Sequence, residues 1–209
     1  MASPAPFPPV TLTVDGLGCR RGSRVLFRDL AFTLDPGTLV TLTGPNGSGK
    51  STMMRIVAGL TPREEGRVTV TGTGDDTEPQ AMIHYHGHRE GLREALTARE
   101  NLAFATALLG GTDDAVMPAL ERMGARRLAD LPVRVLSAGQ RRRVALARLV
   151  AAPRPIWLLD EPLAALDVAG QALVAELIAG HVAAGGSALV ATHQPLAISD
   201  RTLALGGPP

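Results

Sequence analysis

The 209-residue sequence has few aromatic side chains, one cysteine, almost no net charge and no long apolar run. Aromatic residues make up only 3% of the chain, so a core drawn from its 45% of hydrophobic residues must consist mostly of Leu, Val, Ala and Ile. The single cysteine, Cys19, excludes an internal disulfide and is compatible with a reducing compartment. The length suits one domain, or one domain with an inserted subdomain.

The charge balance and the distribution of apolar residues exclude two broad classes of protein. The 21 basic and 20 acidic residues give a net charge of +1, so we expect no nucleic-acid partner, because such binding depends on a positive field. No segment reaches the roughly 18 consecutive apolar residues of a membrane helix. Residues 1–9 are Pro-rich and lack the basic and apolar parts of a secretory signal. We therefore expect a soluble, cytoplasmic chain with flexible tails at 1–9 and 206–209, which reaches a membrane only through another subunit.

A glycine-rich motif is the strongest functional signal. It matches G-x-x-x-x-G-K-[ST] and lies between an apolar run at 39–43 and a helix-like segment at 52–60. Its glycines let consecutive backbone N–H groups point into one concavity, and the helix start adds the positive end of its dipole. The lysine supplies a charge for the β- and γ-phosphates, and the following hydroxyl can ligate Mg²⁺. The sequence predicts a site for a nucleoside triphosphate and Mg²⁺ formed by Gly44, Pro45, Asn46, Gly47, Ser48, Gly49, Lys50, Ser51 and Thr52.

A pair of carboxylates supports this prediction. The apolar run 156–159 is typical of a buried parallel strand, and it is followed by Asp160 and Glu161. We expect Asp160 to reach the Mg²⁺ held by Ser51, and Glu161 to act as general base on the attacking water. The alternative is a strand that merely ends in solvated acids, and the phosphate loop upstream argues against it.

The segment Leu136-Ser137-Ala138-Gly139-Gln140 narrows the class further. It resembles the LSGGQ signature of the nucleotide-binding subunits of ABC transporters, with Ala138 in place of the first glycine. Ser137 stands where a helix N-cap is preferred, so its hydroxyl and the helix N-terminus would form a second anion site. An ordinary capped helix followed by a basic patch, Arg141 to Arg143, is the alternative.

The resemblance implies the fold as well. It predicts an α/β protein with the mixed-sheet core of RecA-like P-loop NTPases and an inserted helical subdomain, and the alternation of strand and helix patterns agrees with it. We expect one ABC-type domain over 10–205, with its core at about 10–88 and 153–205 and its helical subdomain at about 89–152. After Ile83 the pattern turns helical.

The resemblance also implies a mechanism. Two copies of the chain would enclose ATP, each bringing residues Ser137 to Gln140 to the nucleotide held by the Lys50 loop of the other. Glu161 would activate water, and His193, after the strand-like segment 187–192, would contact the γ-phosphate. A non-transport ABC protein and a small-molecule kinase are the competing classes. The single short ATPase unit argues against the first, and the signature with adjacent carboxylates argues against the second.

Two positions depart from the family pattern. Arg89 stands where a glutamine normally helps to ligate Mg²⁺ and the attacking water, and an arginine cannot ligate a cation. Arg20 and Arg21 stand near the usual adenine-stacking aromatic residue. A guanidinium plane can also stack on a base, so we expect nucleotide selectivity to be relaxed rather than lost.

Shorter strings at 96–102, 136–149 and 192–196 resemble the haem-export group of the family. This implies integral membrane permease subunits as partners, docked on the helical residues after Arg89 and near Glu100, and a location on the cytoplasmic face of the inner membrane. An ATPase of a different ABC exporter is the alternative. His84, His86 and His88 alternate and would share one face of a strand. We nevertheless expect no haem or metal site there, because an ATPase subunit need not touch the cargo.

Overall fold

Five short strands form a parallel sheet. The computed structural model describes residues 7–73, 78–192 and 199–206. Within them the sheet order is β5-β6-β7-β3-β8, and each pair of neighbours is parallel. The strands are β3 (Leu39–Thr43), β5 (Ile83–His86), β6 (Ile156–Asp160), β7 (Ser187–Ala191) and β8 (Arg201–Ala204). The three inner strands, β6, β7 and β3, are almost continuously buried, which is why they read as short apolar runs.

A second sheet is antiparallel and has the order β2-β1-β4. Its strands alternate more clearly between buried and exposed positions, as expected when one face meets solvent. One hydrophobic core joins both sheets to the first helix. The strands are β1 (Thr11–Arg21), β2 (Arg24–Leu34) and β4 (Glu65–Thr71), and the helix is α1 (Lys50–Val57).

Most of the remaining helices lie between β5 and β6 in the chain. They are α2 (Ala98–Leu108), α3 (Val116–Arg122), α4 (Ala138–Leu146) and α5 (Arg148–Ala151), and α6 (Val168–Ala183) follows β6. Thr97 and Glu100 form a reciprocal capping box at the start of α2. These hydrogen bonds from Thr97 lower the pKa of the Glu100 carboxyl. Within the described ranges, no helix is long and apolar enough to cross a membrane.

The chain divides into two compact units. The first comprises residues 1–88, 154–162 and 176–209, and the second comprises 89–153 and 163–175. Both sheets belong to the first unit, while α2 to α5 belong to the second.

Candidate nucleotide-binding site

The phosphate loop connects β3 to α1, and its backbone requires glycine. Gly44, Gly47 and Gly49 have φ values of 146°, 78° and 101°, a region that side chains with a Cβ rarely adopt. Lys50 is the first residue of α1, and Gly49 is its N-cap without a side-chain cap. The backbone N–H groups of the first helical turn therefore lack intrahelical acceptors. This arrangement suits an anion such as a phosphate.

The Lys50 ammonium lies against the carbonyl oxygens of its own loop. Its Nζ donates to the Gly44 oxygen at 2.7 Å and to the Pro45 oxygen at 3.1 Å. The Ser48 hydroxyl is buried and has no hydrogen-bond partner among the described residues. A buried hydroxyl in the middle of such a loop is available to a phosphate oxygen, so the loop fits the predicted ligand.

Leu205 and Gly206, which follow β8, pack against the phosphate loop. The sequence did not predict this contact. The Leu205 N–H donates to the Thr43 oxygen at 2.8 Å. A Cβ at Gly44 would collide with the Leu205 carbonyl oxygen, and a Cβ at Gly206 would lie 3.1 Å from the Ser48 Cβ. These contacts bring together residues more than 150 positions apart, for which a linear pattern holds no signal.

The two carboxylates lie at the end of β6, as predicted. Asp160 is the last residue of β6 and is only 4% exposed. Ala191 of β7 is in register with Asp160 on one side and with Leu42 of β3 on the other. Since neighbouring strands are about 4.8 Å apart, Asp160 stands about 10 Å across the sheet from the strand that leads into the phosphate loop. The carboxyl ends of the parallel strands thus meet at one edge of the sheet, where open α/β sheets bind ligands.

Glu161 has an unusual backbone conformation. Its φ is 50°, in the left-handed region that non-glycine residues rarely occupy, and its N–H donates to the Ala191 oxygen at 2.8 Å. This bond continues the β6–β7 ladder while the chain turns. His193 lies outside the described residues, whereas Thr192 before it is buried.

The signature segment begins α4 in the second unit. The predicted N-cap is confirmed, since the Gln140 N–H donates to Ser137 Oγ at 3.3 Å and the Ser137 N–H donates to Gln140 Oε1 at 2.9 Å. Ala138 is exposed, and Gly139 approaches the backbone of Ala165. The Ser137 oxygen accepts in this capping bond, so its hydroxyl proton can be donated to another acceptor.

The residues that depart from the family pattern lie at the surface. Arg89 is exposed in the loop after β5, and Arg20 and Arg21 are exposed at the end of β1. The first unit has an open cavity of about 610 Å³, lined by residues 25–28 and 204–206 and by Leu30. Arg20 is in register with Val25, which lines this cavity.

The alternating histidines do not share one strand. His84 and His86 are buried in β5, but the strand ends at His86 and His88 is exposed. Among the described residues, no group of three or more His, Cys, Asp or Glu side chains could hold a metal ion. The prediction that the chain turns helical after Ile83 was wrong for residues 84–86, because parallel pairing with β6 makes them a strand.

The parallel sheet and its glycine-rich loop define an ATP-binding protein of the P-loop class. The family profile described as "ABC transporter" matches residues 27–164. The chain is 46% identical over 196 residues to the cytochrome c biogenesis ATP-binding export protein CcmA of Nitrobacter winogradskyi, covering 94% of this chain and 98% of that protein. It is also 46% identical to the protein of that name from Mesorhizobium japonicum, covering 93% and 98%.

Solved structures show the same fold. A structure titled as the ATP-binding subunit of an ABC transporter superposes with a TM-score of 0.82 at 25% identity, covering 93% of this chain and 85% of the other. A putative ABC transporter ATP-binding protein from Pyrococcus furiosus gives 0.80 at 22% identity, covering 93% and 97%. The chain belongs to the ABC transporter family, in the group of the CcmA ATP-binding export proteins. The predicted fold class and ABC ATPase function are confirmed.

Proposed function

We propose that this chain is the ATP-hydrolysing subunit of a haem-export complex that serves the assembly of c-type cytochromes. The observation that carries the proposal is the identity of 46% to CcmA proteins, which extends over nearly the whole of both chains. The chain shares with them more than the ATPase motifs, because the family profile spans only residues 27–164.

The residues of the phosphate loop and Asp160 have different roles in ATP binding. Lys50 neutralises the β- and γ-phosphates, and the N–H groups at the start of α1 bind their oxygens. The Ser51 hydroxyl and the buried Asp160 carboxylate would hold Mg²⁺. Both are hard oxygen ligands, and Mg²⁺ usually takes one or two carboxylates together with phosphates and water, so the donor set suits this ion. When bound, Mg²⁺ neutralises charge on the phosphate oxygens.

Hydrolysis requires a second copy of the chain. Residues Ser137 to Gln140 of that copy close over the γ-phosphate, where the Ser137 hydroxyl and the N-terminus of α4 offer donors. Glu161 takes a proton from the attacking water, and His193 contacts the γ-phosphate. The left-handed backbone conformation of Glu161, directly after β6, distinguishes it from Asp160 within the strand and supports a separate role.

The partners are integral membrane subunits of the CcmB and CcmC type, and the chain is peripheral on the cytoplasmic face of the inner membrane. A groove of about 160 Å³ in the second unit supports docking of such a partner. Phe104 and Leu108 line it with 59% and 76% of their surfaces exposed, and the Arg93 guanidinium lies 5.8 Å from the Phe104 ring centre. Exposed apolar side chains beside a groove are typical of interaction sites.

Complementation tests the proposal directly. A bacterium that lacks its own CcmA would receive this chain, the Lys50→Ala variant or the Glu161→Gln variant, and covalently bound haem in its c-type cytochromes would be measured. We expect only the unaltered chain to restore the haem signal. The exposed Glu94→Gln variant is the matched control and should also restore it. An unaltered chain that hydrolyses ATP but restores no cytochrome would assign it to a different exporter.

A further inference from the structure

An ion pair connects the loop that carries Arg89 to the signature helix. Glu90 follows Arg89 directly, and its Oε2 lies 3.7 Å from Nε of Arg141. The two side chains are only 24% and 34% exposed. Such partly buried charges are screened less by salt than fully exposed ones.

Arg141 also holds the signature segment itself. Its Nη1 donates to the Leu136 carbonyl oxygen at 3.1 Å. Leu136 directly precedes Ser137, the N-cap of α4, and Arg141 directly follows Gln140. The Arg141 guanidinium therefore connects both ends of the signature and presents its Nε to Glu90.

The rest of the loop is fixed separately, by Asn101 of α2. This buried side chain accepts from the Arg93 N–H at 2.7 Å and donates to the Arg93 and Thr97 oxygens at 3.0 and 2.9 Å. Asn101 thus holds residues 93–97, while Glu90 connects the beginning of the loop to α4. A displacement of residue 89 or 90 should therefore also displace the signature segment, Leu136 to Gln140.

We propose that Glu90 and Arg141 are a positioning pair that couples the Arg89 loop to the Ser137–Gln140 segment, so that closure of the ATP-bound dimer depends on Glu90. The proposal rests on the proposed function, in which that segment binds the nucleotide of a second copy. Neither side chain touches ATP in this mechanism. Their loss should weaken closure but leave the first binding of nucleotide by the phosphate loop unchanged.

A double-mutant cycle in the Glu161→Gln background tests the pair. Sedimentation would give the dissociation constant of the Mg²⁺-ATP dimer for Glu90→Gln, Arg141→Gln and the double variant. A partly exposed ion pair contributes up to about 1 kcal/mol and the dimer contains two of them, so each single variant should weaken the dimer by up to about 30-fold. The double variant should be no weaker than the weaker single variant.

Two further measurements separate positioning from a general loss of structure. Nucleotide affinity, measured with a fluorescent ATP analogue at protein concentrations below dimerisation, should be unchanged in every variant. In 0.5 M salt the difference between Glu90→Gln and its parent should shrink, because the ion pair is screened. Arg141→Lys keeps the charge and should recover part of the dimer affinity. Glu94→Gln, in the same loop, is exposed, makes no ion pair with the described part of the chain, and should behave like the parent.

The outcomes distinguish this inference from the proposed function. If the Glu161→Gln parent forms no dimer in ATP, the sandwich mechanism fails and the coupling fails with it. If the parent dimerises and Glu90→Gln dimerises equally well, only the coupling is overturned. Additive losses in the double variant would overturn it as well, since independent residues add.

Discussion

Gly139 lies so close to Ala165 that a Cβ added to the glycine would be 2.9 Å from the Ala165 carbonyl oxygen. Ala165 has a left-handed backbone, with φ at 63°, in the segment between β6 and α6. The signature glycine therefore packs against the backbone of a second loop within the same unit. Packing against Ala165 therefore requires glycine at position 139, whether or not a nucleotide is bound.

This contact predicts different outcomes for two neighbouring substitutions. Gly139→Ala should lower the ATP turnover rate, because the added Cβ must push the signature segment away from the backbone of Ala165, and overpacking of this kind costs about 1–3 kcal/mol of stability. Ala138→Gly, at an exposed position, should leave turnover within about twofold. Phosphate release by both variants at saturating ATP measures the difference. Equal turnover of the two variants would contradict it.

A glutamine introduced at residue 89 should leave hydrolysis intact or raise it. Arg89 cannot ligate a cation, so the present site works without a ligand at that position, and Arg89→Gln would restore the family's residue. Steady-state ATPase rates over a range of Mg²⁺ concentrations measure the effect, with Arg93→Gln in the same loop as the control. Abolished hydrolysis in Arg89→Gln would show that the arginine has a positive role.

The preference for ATP over GTP should depend on Arg20 and Arg21, at the end of β1. Arg20 and Arg21 are exposed there, and Arg20 is in register with Val25 at the 610 Å³ cavity. We expect ATP and GTP to be hydrolysed with similar specificity constants, and Arg20→Tyr or Arg21→Tyr to favour ATP in one of the two variants, because an aromatic ring stacks on adenine. Competition between the two nucleotides provides the measurement. Strong ATP preference in the unaltered chain would contradict relaxed selectivity.

Acid should destabilise the first unit through His181. This side chain is 5% exposed and stacks on Trp157 with ring centres 3.7 Å apart. Burial lowers the pKa of His181 from 6.5 to about 4, against the opposing effect of hydrogen bonds to backbone oxygens of Ser187 and Pro155. Below pH 6.5 the unfolded state binds the proton more readily, so this contribution to stability is lost as pH falls from 6.5 towards 4. The loss should be on the order of 3 kcal/mol.

Urea unfolding followed by circular dichroism at pH 7 and pH 4.5 checks this expectation. His181→Phe keeps an aromatic ring against Trp157 but cannot be protonated, so its stability should fall less between the two pH values. His88→Gln removes an exposed histidine and serves as the control. If the free energy of unfolding falls equally in the unaltered chain and in both variants, groups other than His181 cause the acid sensitivity.

Asn101→Ala should be among the more destabilising substitutions in the second unit. Its side chain satisfies backbone groups of Arg93 and Thr97 in a buried position, and leaving such groups unpaired costs about 1–3 kcal/mol. Thermal unfolding measures the loss. Asn101→Asp retains the oxygen that accepts from Arg93, but it places a buried carboxylate oxygen against the carbonyl oxygens of Arg93 and Thr97, so it should lose at least as much stability as Asn101→Ala. An unchanged melting temperature in Asn101→Ala would show that the Asn101 hydrogen bonds do not stabilise the second unit.

Local patterns predicted most of the strands and helices that carry the site. β3 matches the apolar run 39–43, and β6 extends the run 156–159 by Asp160 alone. Both are buried on two faces, so their sequences must be continuously apolar. The helix expected after the Ser137 N-cap begins at Ala138, and it is interrupted at Ala147 before α5.

Features that depend on distant contacts were not predicted. β5 and β8 are short edge strands, and their pairing with β6 and β3 decides their structure rather than their own pattern. The separation of parallel and antiparallel strands into two sheets has the same origin. The Glu90–Arg141 pair joins a loop to a helix 51 residues later and has no counterpart in local spacing.

Trp157 is the only tryptophan in the chain, and it lies in the strand that ends at Asp160. Its indole is held flat against His181, with an angle of 5° between the rings. Intrinsic emission excited at the tryptophan band therefore reports on the first unit alone, without an attached dye. Recorded beside helix content, more than half of which comes from α2 to α5 of the second unit, it would show whether the two units unfold together or one after the other.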